Sequence, residues 1–65
     1  MRETIARIDG TWNRQRFSRS IVLRDGIVVV AHQETGDLIG LTLGEVGAIS
    51  RERGWRLSVV HEYQT

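Results

Sequence analysis

The chain contains no cysteine and no proline. Without cysteine it has neither disulfide bonds nor a cysteine-based metal site. It has no apolar run near the roughly 20 residues that a transmembrane helix needs, and residues 1–4 lack the apolar stretch of a signal peptide. These absences exclude a disulfide-stapled scaffold and predict a soluble, cytoplasmic protein without a membrane partner. No proline-, serine- or glycine-rich stretch marks a linker, so a single small domain over residues 1–65 is expected.

Lysine is also absent, so all nine basic residues are arginines. Residues 1–24 contain six of them against two acids, a net charge of +4, and residues 25–65 contain three against six acids, a net charge of −3. Guanidinium groups grip phosphate or carboxylate through two parallel hydrogen bonds, which an ammonium group cannot do. The overall net charge of +1 therefore conceals a basic N-terminal third.

The clearest predicted element is a helix that begins after Thr42. A threonine followed three positions later by Glu45 can form a capping box. Apolar residues then recur at helical spacing, and Gly54 is suited to the left-handed conformation that ends a helix. Gly47 lies on the apolar face, which predicts a close approach of the helix to a sheet.

Alternating apolar and polar residues on both sides of this helix predict strands. Residues 10–15 are expected to form a loop and residues 25–26, Asp-Gly, a tight hairpin turn. The predicted strands span residues 4–9, 17–23, 27–31, 38–41 and 55–62. The predicted fold class is therefore α+β, a four-strand antiparallel meander followed by one helix and a closing strand (β-β-β-β-α-β).

The run over residues 27–31 has no polar side chain, which predicts a central strand covered on both faces. One 11-residue helix covers only one face of such a sheet. The other face must then be covered in a different way. The sequence leaves two alternatives, closure of the sheet into a barrel-like form or contact with a second copy of the chain.

Part of the sequence resembles three known families. Residues 37–45, continued through residues 54–57, resemble the opening half of a PASTA module, with its Gly-x-Thr/Ser-x-x-Glu helix start and glycine helix stop. Extended back to Val29, the segment also resembles the strand-helix-strand unit of the N-terminal domain of bacterial translation initiation factor 3. Residues 20–53 are similar in layout to the arm-binding domain of phage integrases. What these families share is a capped helix between strands, and the resemblances imply no functional residue.

The sequence contains no recognisable catalytic or metal-binding pattern. Its two histidines, His32 and His61, have no partner at metal-ligand spacing. The four serines, at positions 18, 20, 50 and 58, occur without a nucleophile elbow, and no phosphate-binding glycine loop is present. We therefore expect a protein that is not an enzyme and that has no cofactor and no metal.

Two functions remain as hypotheses. The first is a non-enzymatic protein-interaction module, a small bacterial or phage-type regulator or inhibitor that acts as a homodimer, with an unidentified protein partner. Its self-association is expected to use Ile27, Val28, Val29 and Val30. The alternative is a nucleic-acid-binding regulator that uses an arginine-rich hairpin. Its predicted binding residues are Trp12, Arg14, Arg16, Arg19 and Arg24.

Overall fold

The computed structural model describes residues 1–64 of the chain. Its elements are, in chain order, β1 (Arg2–Trp12), β2 (Gln15–Arg24), β3 (Ile27–Val30), a short 3-10 helix (Gln33–Leu38), α1 (Leu43–Arg53) and β4 (Arg56–Gln64). The four strands form one antiparallel sheet in the order β3-β2-β1-β4. The predicted α+β class, an antiparallel sheet with one helix and a closing strand, is confirmed.

The sheet is open and is not closed into a barrel, because β3 and β4 lie at opposite edges. Three strands precede the helix. Residues 38–41, predicted as a further strand, instead end the 3-10 helix and then run beside β3. Gly40 has a φ of +92°, outside the extended region, so the chain bends here and only one bridge, between Ile27 and Thr42, forms.

β1 and β2 form a long hairpin. Their pairing continues to Trp12 and Gln15, so the predicted loop over residues 10–15 is wrong. The turn consists of Asn13 and Arg14 alone, with φ angles of 52° and 68°. Residues other than glycine rarely adopt positive φ, although asparagine does so more readily than most. This turn therefore has no glycine that could have marked it in the sequence.

β3 is an edge strand, whereas the apolar run predicted a central one covered on both faces. Only Val28 is buried, at 1% exposure, while Ile27, Val29 and Val30 are 38%, 40% and 48% exposed. The reason is geometric, because α1 covers one face only and Ile27 points to the other. The register shift at Val29 then places Val30 opposite Val22, on that same uncovered face. The apolar character of the other residues is therefore not explained by the core of this chain.

The two edges of the sheet differ. Along the outer edge of β3, the Gly40 amide donates to the Val28 carbonyl (2.9 Å) and the Val28 amide donates to the Leu41 carbonyl (3.0 Å). The outer edge of β4 has no strand partner among residues 1–64. β4 is nine residues long and therefore presents a row of unpaired backbone groups.

The helix begins and ends where the sequence predicts. The Glu45 amide donates to Thr42 Oγ1 (3.2 Å), and the Thr42 amide donates to Glu45 Oε1 (2.9 Å), which completes the capping box. Gly54 ends the helix with a φ of 74°. None of the helices within residues 1–64 is long and apolar enough to span a lipid bilayer.

The core lies between α1 and one face of the sheet. It contains eight buried apolar side chains, those of Ala6, Ile8, Ile21, Leu23, Val28, Leu38, Val46 and Trp55.

Trp55 closes the end of this core beyond the C-terminus of α1. Its ring meets Phe17 edge to face (centroids 5.0 Å apart), and its Nε1 donates to the Thr11 carbonyl (3.1 Å). The guanidinium of Arg53 lies 4.9 Å from the ring centroid. A Cβ on Gly10 would overlap the ring, so the indole lies directly against the β1 backbone. Glycine is required at this position because of that close approach.

Candidate functional site

The side of the sheet opposite α1 is a candidate surface, and we call it the open face. Residues directly opposite each other in antiparallel strands point to the same face. The buried strand residues, Thr4, Ala6, Ile8, Ile21, Leu23 and Val28, all belong to the set that faces α1. The alternate set therefore forms the open face, and it divides into an apolar end and a basic end.

One row of the open face crosses all four strands at its apolar end. It consists of Val30, Val22, Ile5 and His61. The adjacent row places Ile27 and Tyr63 at its two ends, and the Arg24–Glu3 salt bridge (3.2 Å) lies between them. We define the apolar patch as Ile5, Val22, Ile27, Val30 and Tyr63. Its outer members Val30 and Tyr63 are each 48% exposed.

The residues predicted for self-association divide between the two faces. Ile27 and Val30 belong to the apolar patch. Val29 lies at a register shift between β2 and β3 and is exposed. Val28 points toward α1 and is part of the core, so its side chain is not available to a partner.

The basic end of the open face contains Arg7, Arg16 and Arg56, which we call the basic cluster. One acid, Asp9, lies among them, and it accepts a hydrogen bond from Arg7 Nε (3.2 Å). A hydrogen bond from Ser18, with Arg7 beside it, lowers the pKa of Asp9 below its usual value, so Asp9 stays ionised. Three guanidinium groups against one carboxylate leave a net charge of +2 at this end.

The structure does not bring the five predicted hairpin residues onto one surface. Arg16 lies on the open face and Arg14 in the turn, and neither forms a salt bridge within the described residues. Trp12 is 43% exposed near the turn, and strand alternation places it on the opposite face.

Arg19 and Arg24 are already engaged by acids. Arg19 faces the α1 side and donates to both carboxylate oxygens of Glu34 (3.1 and 3.4 Å). This hydrogen bond lowers the pKa of Glu34 below its usual value. Arg24 donates to Glu3 (3.2 Å) at the apolar end of the open face. Both arginines are therefore separated from the basic cluster.

Sequence reasoning missed Arg7 and Arg56 as site residues. They come from β1 and β4, and antiparallel pairing places Arg56 opposite Asp9, next to Arg7. Strand alternation was the sequence signal that could have found Arg7, because Arg7 and Asp9 alternate with the buried Ala6 and Ile8 and so point to the opposite face. Alternation alone does not predict that β4 pairs with β1, which is what brings Arg56 to the site.

Within residues 1–64, no three histidine, cysteine, aspartate or glutamate residues lie together in a group that could hold a metal ion. His61 is exposed and packs edge to face on Tyr63, with ring centroids 4.3 Å apart. His61 therefore lies beside Tyr63 at the β4 edge of the apolar patch.

No family model matches the chain, and searches of curated proteins and of solved structures likewise found no match.

Proposed function

We propose that the protein is a non-enzymatic protein-interaction module that acts as a homodimer through the apolar patch. The observation that carries this proposal is the apolar patch, which has members on all four strands and which α1 leaves uncovered. Contiguous exposed apolar patches on small soluble domains are typical of interaction sites. Two open sheets that stack face to face about 10 Å apart bury such patches in a sandwich.

The partner that fits the patch is a second copy of this chain. Among the described open-face residues, the apolar end holds one ion pair, Arg24 with Glu3, and the two charges cancel. Two copies therefore meet without repulsion there. At the other end the basic clusters repel, which selects a twofold axis that crosses the strands between the two rows of the apolar patch. With this axis the two patches overlap and the two basic ends point in opposite directions.

We also place the protein in the cytoplasm, among the small regulators or inhibitors of bacteria or their phages. The small size, the lack of cysteine and the small core of eight apolar side chains support this placement.

The test is the molar mass in solution, measured by sedimentation equilibrium across the micromolar range. The wild-type protein is expected to approach the mass of two 7.4 kDa chains. Val30→Glu places a charge in the patch and is expected to give a monomer. The matched control is Val59→Glu, because Val59 is similarly exposed (51% against 48%) but lies on the α1 side, opposite Ala6. This variant should remain a dimer.

Two results would overturn the proposal. The first is a wild-type protein that sediments only as a monomer, and the second is a dimer that Val59→Glu disrupts and Val30→Glu leaves intact. The second result would assign the interface to β4 instead. Circular dichroism of both variants shows whether each remains folded.

A further inference from the structure

The hairpin of β1 and β2 projects beyond the rest of the sheet. β3 pairs with β2 only at residues 22–24, and β4 pairs with β1 only up to Asp9. Residues 10–17 are therefore a two-stranded ribbon without a strand on either side, although Trp55 packs on the face toward α1. The molecule is accordingly elongated, measuring 39 × 17 × 17 Å.

Positive charge is concentrated on and below this ribbon. Arg14 lies at the tip of the ribbon and Arg16 on its open face, while Arg7 and Arg56 lie at its base. With Asp9 as the one acid, four positive charges against one negative charge give a net charge of +3. The entire chain has a net charge of only +1.

The side chains around these arginines favour phosphate groups over a protein surface. The other open-face residues of this end carry hydroxyl groups, namely Thr11, Ser18, Ser20 and Ser58. Arginine and hydroxyl side chains are the usual donors to phosphate oxygens. A protein partner normally needs apolar contacts at the core of its interface, whereas the open-face side chains of this end are all charged or carry a hydroxyl group. Charge complementarity therefore indicates a polyanion with a phosphate backbone.

The shape of the ribbon points to the duplex form. The major groove of B-DNA, about 12 Å wide, admits a two-stranded β-ribbon, whereas the major groove of duplex RNA is too deep and narrow for side chains to enter. Single-strand binding relies on aromatic stacking, and Trp12 lies on the face opposite to the basic cluster. We infer that Arg7, Arg14, Arg16 and Arg56 bind the phosphate backbone of double-stranded DNA, with the ribbon tip in the major groove.

The binding surface belongs to one chain, so the inference does not depend on self-association. In the twofold arrangement proposed above, the basic ends point away from the interface, and DNA binding and dimerisation are compatible. Because their residues do not overlap, the two proposals fail independently. Each chain of the dimer-disrupting variant Val30→Glu is therefore expected to bind DNA with the same affinity as a single wild-type chain.

The experiment is a fluorescence-anisotropy titration of a labelled mixed-sequence DNA duplex at several salt concentrations. Each lost phosphate contact reduces the magnitude of the slope of log K against log salt by about 0.9. At 0.1 M salt this reduction corresponds to roughly an eightfold loss of affinity. Arg16→Gln is expected to show this loss. The matched control is Arg51→Gln on α1, which removes the same charge from an exposed site outside the open face. Its affinity should be unchanged.

A third variant tests the inference in the opposite direction. Asp9→Asn removes the one acid of the basic end and releases Arg7, so it is expected to increase DNA affinity several-fold. The inference is overturned if the wild-type protein does not bind the duplex at low salt, or if Arg51→Gln loses as much affinity as Arg16→Gln. Equal binding to single-stranded DNA or duplex RNA also overturns it. Binding to polyglutamate without binding to DNA would assign the basic end to an acidic protein.

Discussion

Replacement of Gly10 by alanine tests the packing of the core most directly. Alanine in place of glycine inside a strand normally stabilises a protein by about 0.5–1 kcal/mol, because glycine loses more backbone entropy on folding. At this position the added methyl group overlaps the ring of Trp55. Either the backbone and the ring shift, at an overpacking cost of about 1–3 kcal/mol, or the indole leaves its site.

The second route costs at least as much, because the displaced indole also loses its burial in the core. A displaced Trp55 loses its hydrogen bond to the Thr11 carbonyl, about 1 kcal/mol, and its edge-to-face contact with Phe17, about 0.5–1.5 kcal/mol. After the backbone gain is subtracted, the first route predicts a net destabilisation of about 0–2.5 kcal/mol and the second at least about 0.5–2 kcal/mol, so a loss of about 1 kcal/mol is expected. For a domain of this size the melting temperature should then fall by roughly 4–8 °C.

The assay is thermal and urea unfolding followed by circular dichroism and by tryptophan fluorescence. A Trp12→Phe background leaves Trp55 as the single indole, so that displacement of the ring also appears as a red-shifted emission. The control is Gly36→Ala, because a Cβ there meets no atom within 4 Å and the backbone has no positive φ. A Gly10→Ala protein that melts at or above the wild-type temperature, with unshifted emission, would refute the reasoning.

Two further predictions concern a helix cap and an ion pair. Thr42→Ala removes the acceptor of the Glu45 amide and should cost about 1 kcal/mol, measured by urea unfolding; an unchanged midpoint would mean that the capping box does not stabilise the helix. The hydrogen bond from Arg53 lowers the pKa of Asp37 below its usual value of 3.8, so the stabilisation is present above pH 3.8 and is lost as the pH falls through the lowered pKa. Asp37→Asn should make the melting temperature less dependent on pH in this acid range, and an identical pH profile would contradict the assignment.

Local signals in the sequence predicted the elements whose chemistry is local. The capping box at Thr42 and the terminal Gly54 define both ends of the helix, and the Asp25-Gly26 turn adopts the positive φ angles, 50° and 85°, that its sequence suggests. Gly47 was expected to permit a close approach of the helix to the sheet. A Cβ there meets only Leu57 Cδ2, at an ordinary 3.8 Å. The close approach occurs instead at Gly10, through a contact with a residue 45 positions away.

The composition of the candidate site could be predicted only in part. The basic N-terminal third was evident from the sequence, and Arg14 and Arg16 lie on or near the ribbon. However, Arg56 joins them through strand pairing over 47 positions, from Asp9 to Arg56, which leaves no local pattern. Arg19 does not join the basic cluster, because it lies on the α1 side of the sheet and forms a salt bridge there with Glu34 of the 3-10 helix.

The two sides of the sheet offer unequal edges for strand addition. Residues 40–42 occupy the hydrogen-bonding groups of Val28 along β3. However, β3 pairs with β2 only at residues 22–24, so residues 15–21 of β2 have no strand partner on that side within residues 1–64. A fibre built by strand addition needs two free edges on every copy, so that each new chain adds to one and offers the other. An open-ended sheet would therefore have to grow through β4 and residues 15–21, and the charged side chains of Arg16 and Arg19 disfavour strand addition there.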